Sequence, residues 1–271
     1  MKIGLIGCGN IGQIIADHVQ KGVIGNARII AVFDTDDEKL RIFASKFPGK
    51  VCICHSIKEF LDWGDYDVVV EAASQEAVKK YLVSIIDRGF DVMVLSVGAL
   101  LDTQVYNQVL DALRKRKAHI YFPSGAICGL DGITAASLGE IKKAAITTTK
   151  PTSTLMDVPH VKKSGIELDK LKKSMTVFKG TSSDAVQLFP KNINVCAVLS
   201  LALGREVDVE IIADPKTKVN THEIVVEGDF GRITTRTSNL PSPNNPKTSY
   251  LAALSAVRTL KNIGESIRIG T

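Results

Sequence analysis

The chain has 271 residues, 45% of them apolar and 23% charged, the balance of a globular protein with enough core for one large domain or two modest ones. No apolar stretch approaches the roughly 20 residues of a membrane span, and Met1 opens directly into strand-like sequence without a basic leader, so the expected location is the cytoplasm. The net charge of +5 is scattered among acids, and the one dense basic run, Arg114-Lys115-Arg116-Lys117, falls at a helix end where cations complement the dipole, so neither a nucleic-acid nor a membrane surface is expected.

The first elements carry a motif. Lys2–Ile6 reads as a short strand, breaks into Gly7-Cys8-Gly9-Asn10-Ile11-Gly12, and leaves as a helix through Ile14, Ile15, His18 and Val19. This is G-x-G-x-x-G between strand and helix, where backbone N–H groups can receive a dinucleotide pyrophosphate. Gly7 permits the turn, Gly9 lets the backbone approach the phosphates and Gly12 lets helix and strand pack, with Asn10 and Ile11 completing the loop. A second strand over 27–33 ends at Asp34, the acid expected about twenty residues on to bind adenosine ribose hydroxyls. A carboxylate there repels a 2′-phosphate, so NAD is the expected cofactor, with NADP as the alternative that Lys39 would assist.

Strands and helices then alternate to about residue 124, as in a doubly wound parallel sheet of Rossmann type. Helices are expected over 36–47, 56–61, 74–88 and 102–115, and strands over 51–54, 66–71, 91–96 and 118–122. Ala72-Ala73-Ser74 and Val97-Gly98-Ala99 leave the fourth and fifth strands, and their small residues suit either a flat nucleotide or plain turn chemistry. After the turn Pro123-Ser124-Gly125-Ala126-Ile127 the rhythm changes. A helix over 130–143, an irregular lysine-rich stretch over 156–175, helices over 181–188 and 192–203, and strands over 206–213, 221–227 and 231–237 read as an α+β domain with an antiparallel sheet. A final helix over 245–263, with Tyr250, Leu251, Leu254 and Val257 as its apolar face, is expected to return to the nucleotide domain. The domains are therefore 1–124 plus 240–271, and 125–239.

The five cysteines form an odd, scattered set and read as free thiols. Cys52-Ile53-Cys54-His55 has no second ligand pair at usable spacing, so a buried strand is expected and no metal. Two residues remain open at this level. His222, at the entry of a strand, suits either a hydrogen-bonded structural role or acid–base chemistry. Asn192 suits either a helix cap or a bond to a cofactor carboxamide.

Several separated motifs point further: Glu71-Ala72-Ala73-Ser74, Ser96-Val97-Gly98-Ala99-Leu100, Pro123-Ser124-Gly125-Ala126-Ile127, Phe189-Pro190-Lys191-Asn192-Ile193-Asn194-Val195, Asn220-Thr221-His222 and Asn245-Pro246-Lys247-Thr248-Ser249. With the glycine turn and in this order, they make the chain resemble the L-aspartate dehydrogenase family of NAD biosynthesis from end to end. The resemblance implies that His222 is the catalytic histidine and that Ala126 and Asn192 contact NAD. It implies a homodimer that oxidises L-aspartate to iminoaspartate, which hydrolyses to oxaloacetate and ammonia or passes to a quinolinate-forming enzyme. Lys150, Lys191, Lys247, Thr248 and Ser249 are available to hold the substrate carboxylates, unranked. One departure stands at Thr149, where the family pattern places an arginine before the lysine. The alternatives are another two-domain reductase, of homoserine or dihydrodipicolinate type, and a non-catalytic NAD sensor.

Overall fold

Continuous Val, Ile and Leu runs bounded by glycine and acidic turns give short strands buried on both faces, the signature of a parallel sheet sandwiched by helices. The computed structural model describes residues 1–47, 51–190, 193–243, 245–267 and 269, with backbone only at 246 and 247. Strands β1 (Lys2–Ile6), β2 (Arg28–Phe33), β3 (Cys52–Cys54), β4 (Val68–Glu71), β5 (Asp91–Val94) and β6 (Ile120–Tyr121) form one parallel sheet in the order β3-β2-β1-β4-β5-β6. Its helices start where the sequence supplies caps: Asp36, Ser56, Ser74 and Asp102 each accept backbone N–H groups of the first turn. The strand order reverses between β1 and β4, so the glycine turn after β1 and Ala72–Ser74 after β4 flank the crevice where such sheets bind ligands.

The chain divides into two compact units: Met1–Pro123 with Ala253–Arg268, and a second built on Ser124–Ala252. The helix Tyr250–Gly264 gives Ala256, Val257 and Leu260 to the same buried cluster as Ile3, Leu5, Val68 and Val70. Its inward face is Ala253, Ala256, Val257 and Leu260, one step round from the expected stripe, and Leu251 is 37% exposed. The helix also begins later than expected. Asn245–Ser249 is a strand, β13 below, and the Tyr250 N–H donates to the Leu240 carbonyl at 3.0 Å.

The second unit is α+β, but its sheet is mixed. Strands β7 (Ile141–Pro151), β8 (Met175–Thr181), β9 (Asp208–Asp214), β10 (Asn220–Gly228) and β11 (Gly231–Asn239) lie in the order β11-β10-β7-β9-β8. Short turns led to the expectation of an antiparallel sheet. Of the three strands expected in succession, β10 and β11 pair as a hairpin and β9 does not join them, because β7 inserts between β9 and β10 and runs parallel to β9. The helix expected over 130–143 stops at Ala136, since Lys143 and Ala144 pair with Glu227 and Val226 and the ladder overrides local helix propensity. The stretch read as irregular up to 175 leads into β8, and Thr181 ends that strand as the N-cap of Ser182–Leu188, in a capping box with Asp184. A short hairpin, β12 (Pro241–Ser242) with β13 (Asn245–Ser249), completes the unit.

Leu260 is fully buried in the nucleotide-domain cluster. Leu260→Ala is expected to cost about 3 kcal/mol in urea-induced unfolding, and a loss below about 1 kcal/mol would remove the helix from that core.

Candidate active site

In the first unit, the candidate cofactor site grows from backbone that needs glycine at two positions. Gly7 has a φ of 101°, donates its N–H to the Phe33 carbonyl at 2.8 Å, and passes so close to Ala72 that a Cβ would lie 2.5 Å from that carbonyl oxygen. A side chain at Gly12 would strike the Gly7 carbonyl, whereas nothing lies within 4 Å of a Cβ on Gly9. Gly9 is also the N-cap of the helix Asn10–Gln20 and supplies no side-chain bond, so Asn10 and Ile11 open a helix whose N-terminal dipole faces an accessible backbone. That cradle fits a pyrophosphate.

Beside it lies a cavity of about 210 Å³ lined in part by Gly7, Asp34, Thr35, Ala73, Ser74 and Lys80. Asp34 is fixed by two backbone donors: Cys8 N–H to Oδ2 at 2.8 Å and Asp36 N–H to Oδ1 at 3.0 Å. A carboxylate held this way keeps lone pairs for two ribose hydroxyls. Lys39, the cation nearest in sequence, pairs with Asp36 at 3.2 Å.

Glu71 organises the strand exits. It is buried, and its carboxylate accepts five hydrogen bonds, from the N–H groups of Ala73, Ser74, Leu95 and Ser96 and from the Ser96 hydroxyl. Burial raises its pKa, and the bonds from Ser96, Ala73 and Ser74 oppose that rise. One acid thus ties the ends of β4 and β5 together and positions Ala72, Ala73 and Ser74. In the sequence Glu71 stands out only as part of the motif Glu71-Ala72-Ala73-Ser74. An acid ending a run of three valines is the signal that would single it out.

In the second unit, a separate set of candidate residues stands on one face of the mixed sheet. His222 is 3% exposed and lies opposite Thr148 across the β7–β10 ladder, with Thr148 Oγ1 2.9 Å from His222 Nδ1. Alternation puts Lys150 on the same face of β7, and Asn220 on the same face of β10. Lys150 is 4% exposed, and no carboxylate among the described residues pairs with it. Burial lowers its pKa from 10.5 to about 8. Burial, then the charge of Lys150, lowers His222 from 6.5 to about 3, so the imidazole rests neutral. Asn220 donates through Nδ2 to Ser249 Oγ at 3.3 Å, and its buried Oδ1 has no partner among the described residues.

Ala126 belongs to this neighbourhood. Its carbonyl accepts from Thr237 Oγ1 at 2.8 Å and Asn239 Nδ2 at 2.9 Å, and Thr237 and Asn239 pair with His222 and Asn220 in the β10–β11 ladder. The turn carrying Ala126 is therefore pinned beside the histidine. Asn192 and Lys191 lie outside the described residues, as does the Lys247 side chain. Thr148, Asn220 and Asn239 were not singled out from sequence, because only the register of β10 against β7 and β11 assembles them. The other histidines have local partners: His18 bonds Ile14, His55 faces Asp37, His119 faces Asp91, and His160 packs on Phe178 and Phe189.

Two family models match the chain. One is described as the NAD-binding domain of homoserine dehydrogenase, over residues 7–123, and the other as the C-terminal region of aspartate dehydrogenase, over residues 131–263. The chain is 45% identical to an L-aspartate dehydrogenase of Methanosarcina barkeri across 100% of both sequences. It is 42% identical to that of Methanothermobacter thermautotrophicus, covering 100% of this chain and 99% of the relative. Among solved structures it is similar to an aspartate dehydrogenase from Thermotoga maritima, with a TM-score of 0.77 and 30% identity over 100% of this chain and 99% of that one. With such identity sustained over its whole length, the chain belongs to the L-aspartate dehydrogenase family.

Proposed function

We propose that this chain, an NAD(P)-dependent L-aspartate dehydrogenase, oxidises its substrate with His222 as the acid–base group, Lys150 as a carboxylate anchor and NAD as the preferred cofactor. The observation that carries the reading is an imidazole and a lysine buried together on one sheet face, with no acid among the described residues to pair with the lysine.

L-Aspartate brings two carboxylates and an ammonium group. One carboxylate pairs with Lys150, whose desolvated charge gains more from an anion there than it would in water. Asn220 Oδ1 accepts from the substrate nitrogen, satisfying the buried orphan. When Nδ1–H of His222 donates to Thr148 Oγ1, the lone pair is left on Nε2. His222 then takes a proton from the substrate ammonium, and the dianion beside it offsets Lys150 and strengthens the imidazole as a base. The nitrogen lone pair so freed drives hydride from C2 and leaves a C=N bond. The glycine cradle and Asp34 would hold NAD, which on binding supplies the hydride acceptor. Iminoaspartate leaves for a quinolinate-forming enzyme, or His222 activates the water that converts it to oxaloacetate and ammonia.

Asp34 and the pairing of Lys39 with Asp36 support NAD over NADP. The free state of the cysteines supports a reducing, cytoplasmic setting. We also assign a homodimer, for which the sheet face opposite His222, with Thr147, Thr149, Ile212 and Val225 half-buried, is the available surface. A solution mass of twice 29.3 kDa by light scattering would support it, and a single-chain mass would exclude it.

His222→Ala is expected to lose at least about a thousandfold in kcat while binding NAD normally, and near-unchanged turnover of L-aspartate would overturn the assignment. Lys150 gives a pH signature. Its folded pKa is depressed, so as pH falls from 10.5 to about 8 the unfolded chain binds the proton first and folding is disfavoured; below about 8 the whole cost is present. Lys150→Met is therefore expected to gain roughly 3 kcal/mol of stability at pH 7, none at pH 11, and to weaken aspartate binding sharply. Equal stability at both pH values would sink it. For the cofactor, kcat/KM should favour NAD, and Asp34→Ser should narrow the NAD-to-NADP ratio at least about tenfold. A wild-type preference for NADP would reverse this account of Asp34.

A further inference from the structure

Away from the residues just described, Cys52, Cys54 and Glu59 form a cluster of soft and hard donors. The two cysteines stand two residues apart on β3, so their side chains share a face. Both thiols are free, and their Sγ atoms lie 3.6 Å apart. Two sulfurs each about 2.3 Å from a tetrahedral zinc ion lie about 3.8 Å apart, so this pair already spans one edge of such a tetrahedron. The third donor comes from the next element. Ser56 caps the helix Ile57–Trp63 and sets Glu59 in its first turn, where Glu59 Oε2 accepts the His55 N–H at 2.8 Å. A Glu59 carboxylate oxygen and both sulfurs lie within 4.8 Å of one another. Spacing in the sequence hides this, because Glu59 is a single carboxylate that the helix turn folds back.

We propose that Cys52, Cys54 and Glu59 bind a thiophilic divalent cation of tetrahedral preference, zinc by its chemistry, with water at the fourth corner. Binding displaces the two thiol protons to solvent and forms two metal–thiolate bonds and one metal–carboxylate bond, with no change of oxidation state. Calcium and magnesium are disfavoured, since both require shells of oxygen ligands. The cation acts as a clip. Strand β3 has three residues, lies at the sheet edge and among the described residues pairs with β2 alone, and the bound ion ties it to the helix that follows. Cys54 pairs with Phe33, the residue before Asp34, so the clip steadies the strand end that presents the ribose-binding carboxylate. Cys54 is buried, Cys52 half-buried and Glu59 exposed, which leaves an approach from solvent on the Glu59 side.

The test titrates the full-length reduced chain with Cd(II), whose thiolate charge-transfer absorption reports sulfur ligation. The band should saturate at one equivalent, persist in Cys128→Ser, which removes the exposed thiol, and vanish in Cys52→Ser. Glu59→Gln should weaken binding about tenfold. Zn(II) should raise the unfolding midpoint of the wild type by about 5 °C and of Cys52→Ser not at all. A band that is absent, that survives Cys52→Ser or that disappears with Cys128→Ser overturns the proposal. Cys52 is half-buried, so its serine variant keeps the fold, and the wild-type titration decides the matter even without it.

Discussion

A lysine kept in the interior, with no acid paired to it among the described residues, is the constraint around which the second unit is built. Lys150 is 4% exposed, and burial alone shifts its pKa to about 8. That shift is worth roughly 3 kcal/mol, a large share of the 5–15 kcal/mol by which typical domains are stable. Burial, and then this positive charge, lowers the pKa of His222 and favours its neutral form. Under the role proposed for Lys150, an arrangement that costs stability in the empty protein becomes favourable when a substrate carboxylate answers the lysine, the trade between stability and activity expected at a working site.

The first unit solves the opposite problem with the opposite outcome. Glu71 is an acid in the core, yet it is satisfied entirely by the chain's own donors at the ends of β4 and β5. A satisfied buried group rigidifies, whereas an unsatisfied one waits for a ligand. Glu71 holds the strand exits still so that backbone and glycine can receive a cofactor. Lys150 and Asn220 leave polar demand open for something that comes and goes. The distribution of satisfied and unsatisfied polar groups separates scaffold from recognition more sharply than burial does.

Legibility followed the range of the interactions. The glycine turn, the capped helices and the parallel sheet rest on local chemistry, such as a φ of 101° at Gly7 or the caps at Ser56 and Asp102, and each could be read from neighbouring residues. The second unit could not be read that way. Its sheet places β7 between β9 and β10, strands more than fifty residues further along the chain, and that insertion separates β9 from β10 and pairs β9 with β7 in parallel. The helix expected over 130–143 failed for the same reason: Lys143 is claimed by Glu227, a partner that no local pattern announces. His222 was visible as a residue but ambiguous as a role, because the partners that define it, Thr148 and Lys150, lie on another strand.

Register also resolves the one departure from the family pattern. An arginine is expected where Thr149 stands, directly before the lysine. Thr149 pairs with Thr221, and alternation turns both away from the face that carries Thr148, Lys150, Asn220 and His222. A side chain at 149 therefore begins on the far side of the sheet from the imidazole, half-exposed rather than buried. Replacing arginine by threonine there removes a cation from the opposite surface and leaves the buried face as it was. The charge on the histidine's face is the one at Lys150, and the departure at Thr149 leaves that lysine in place.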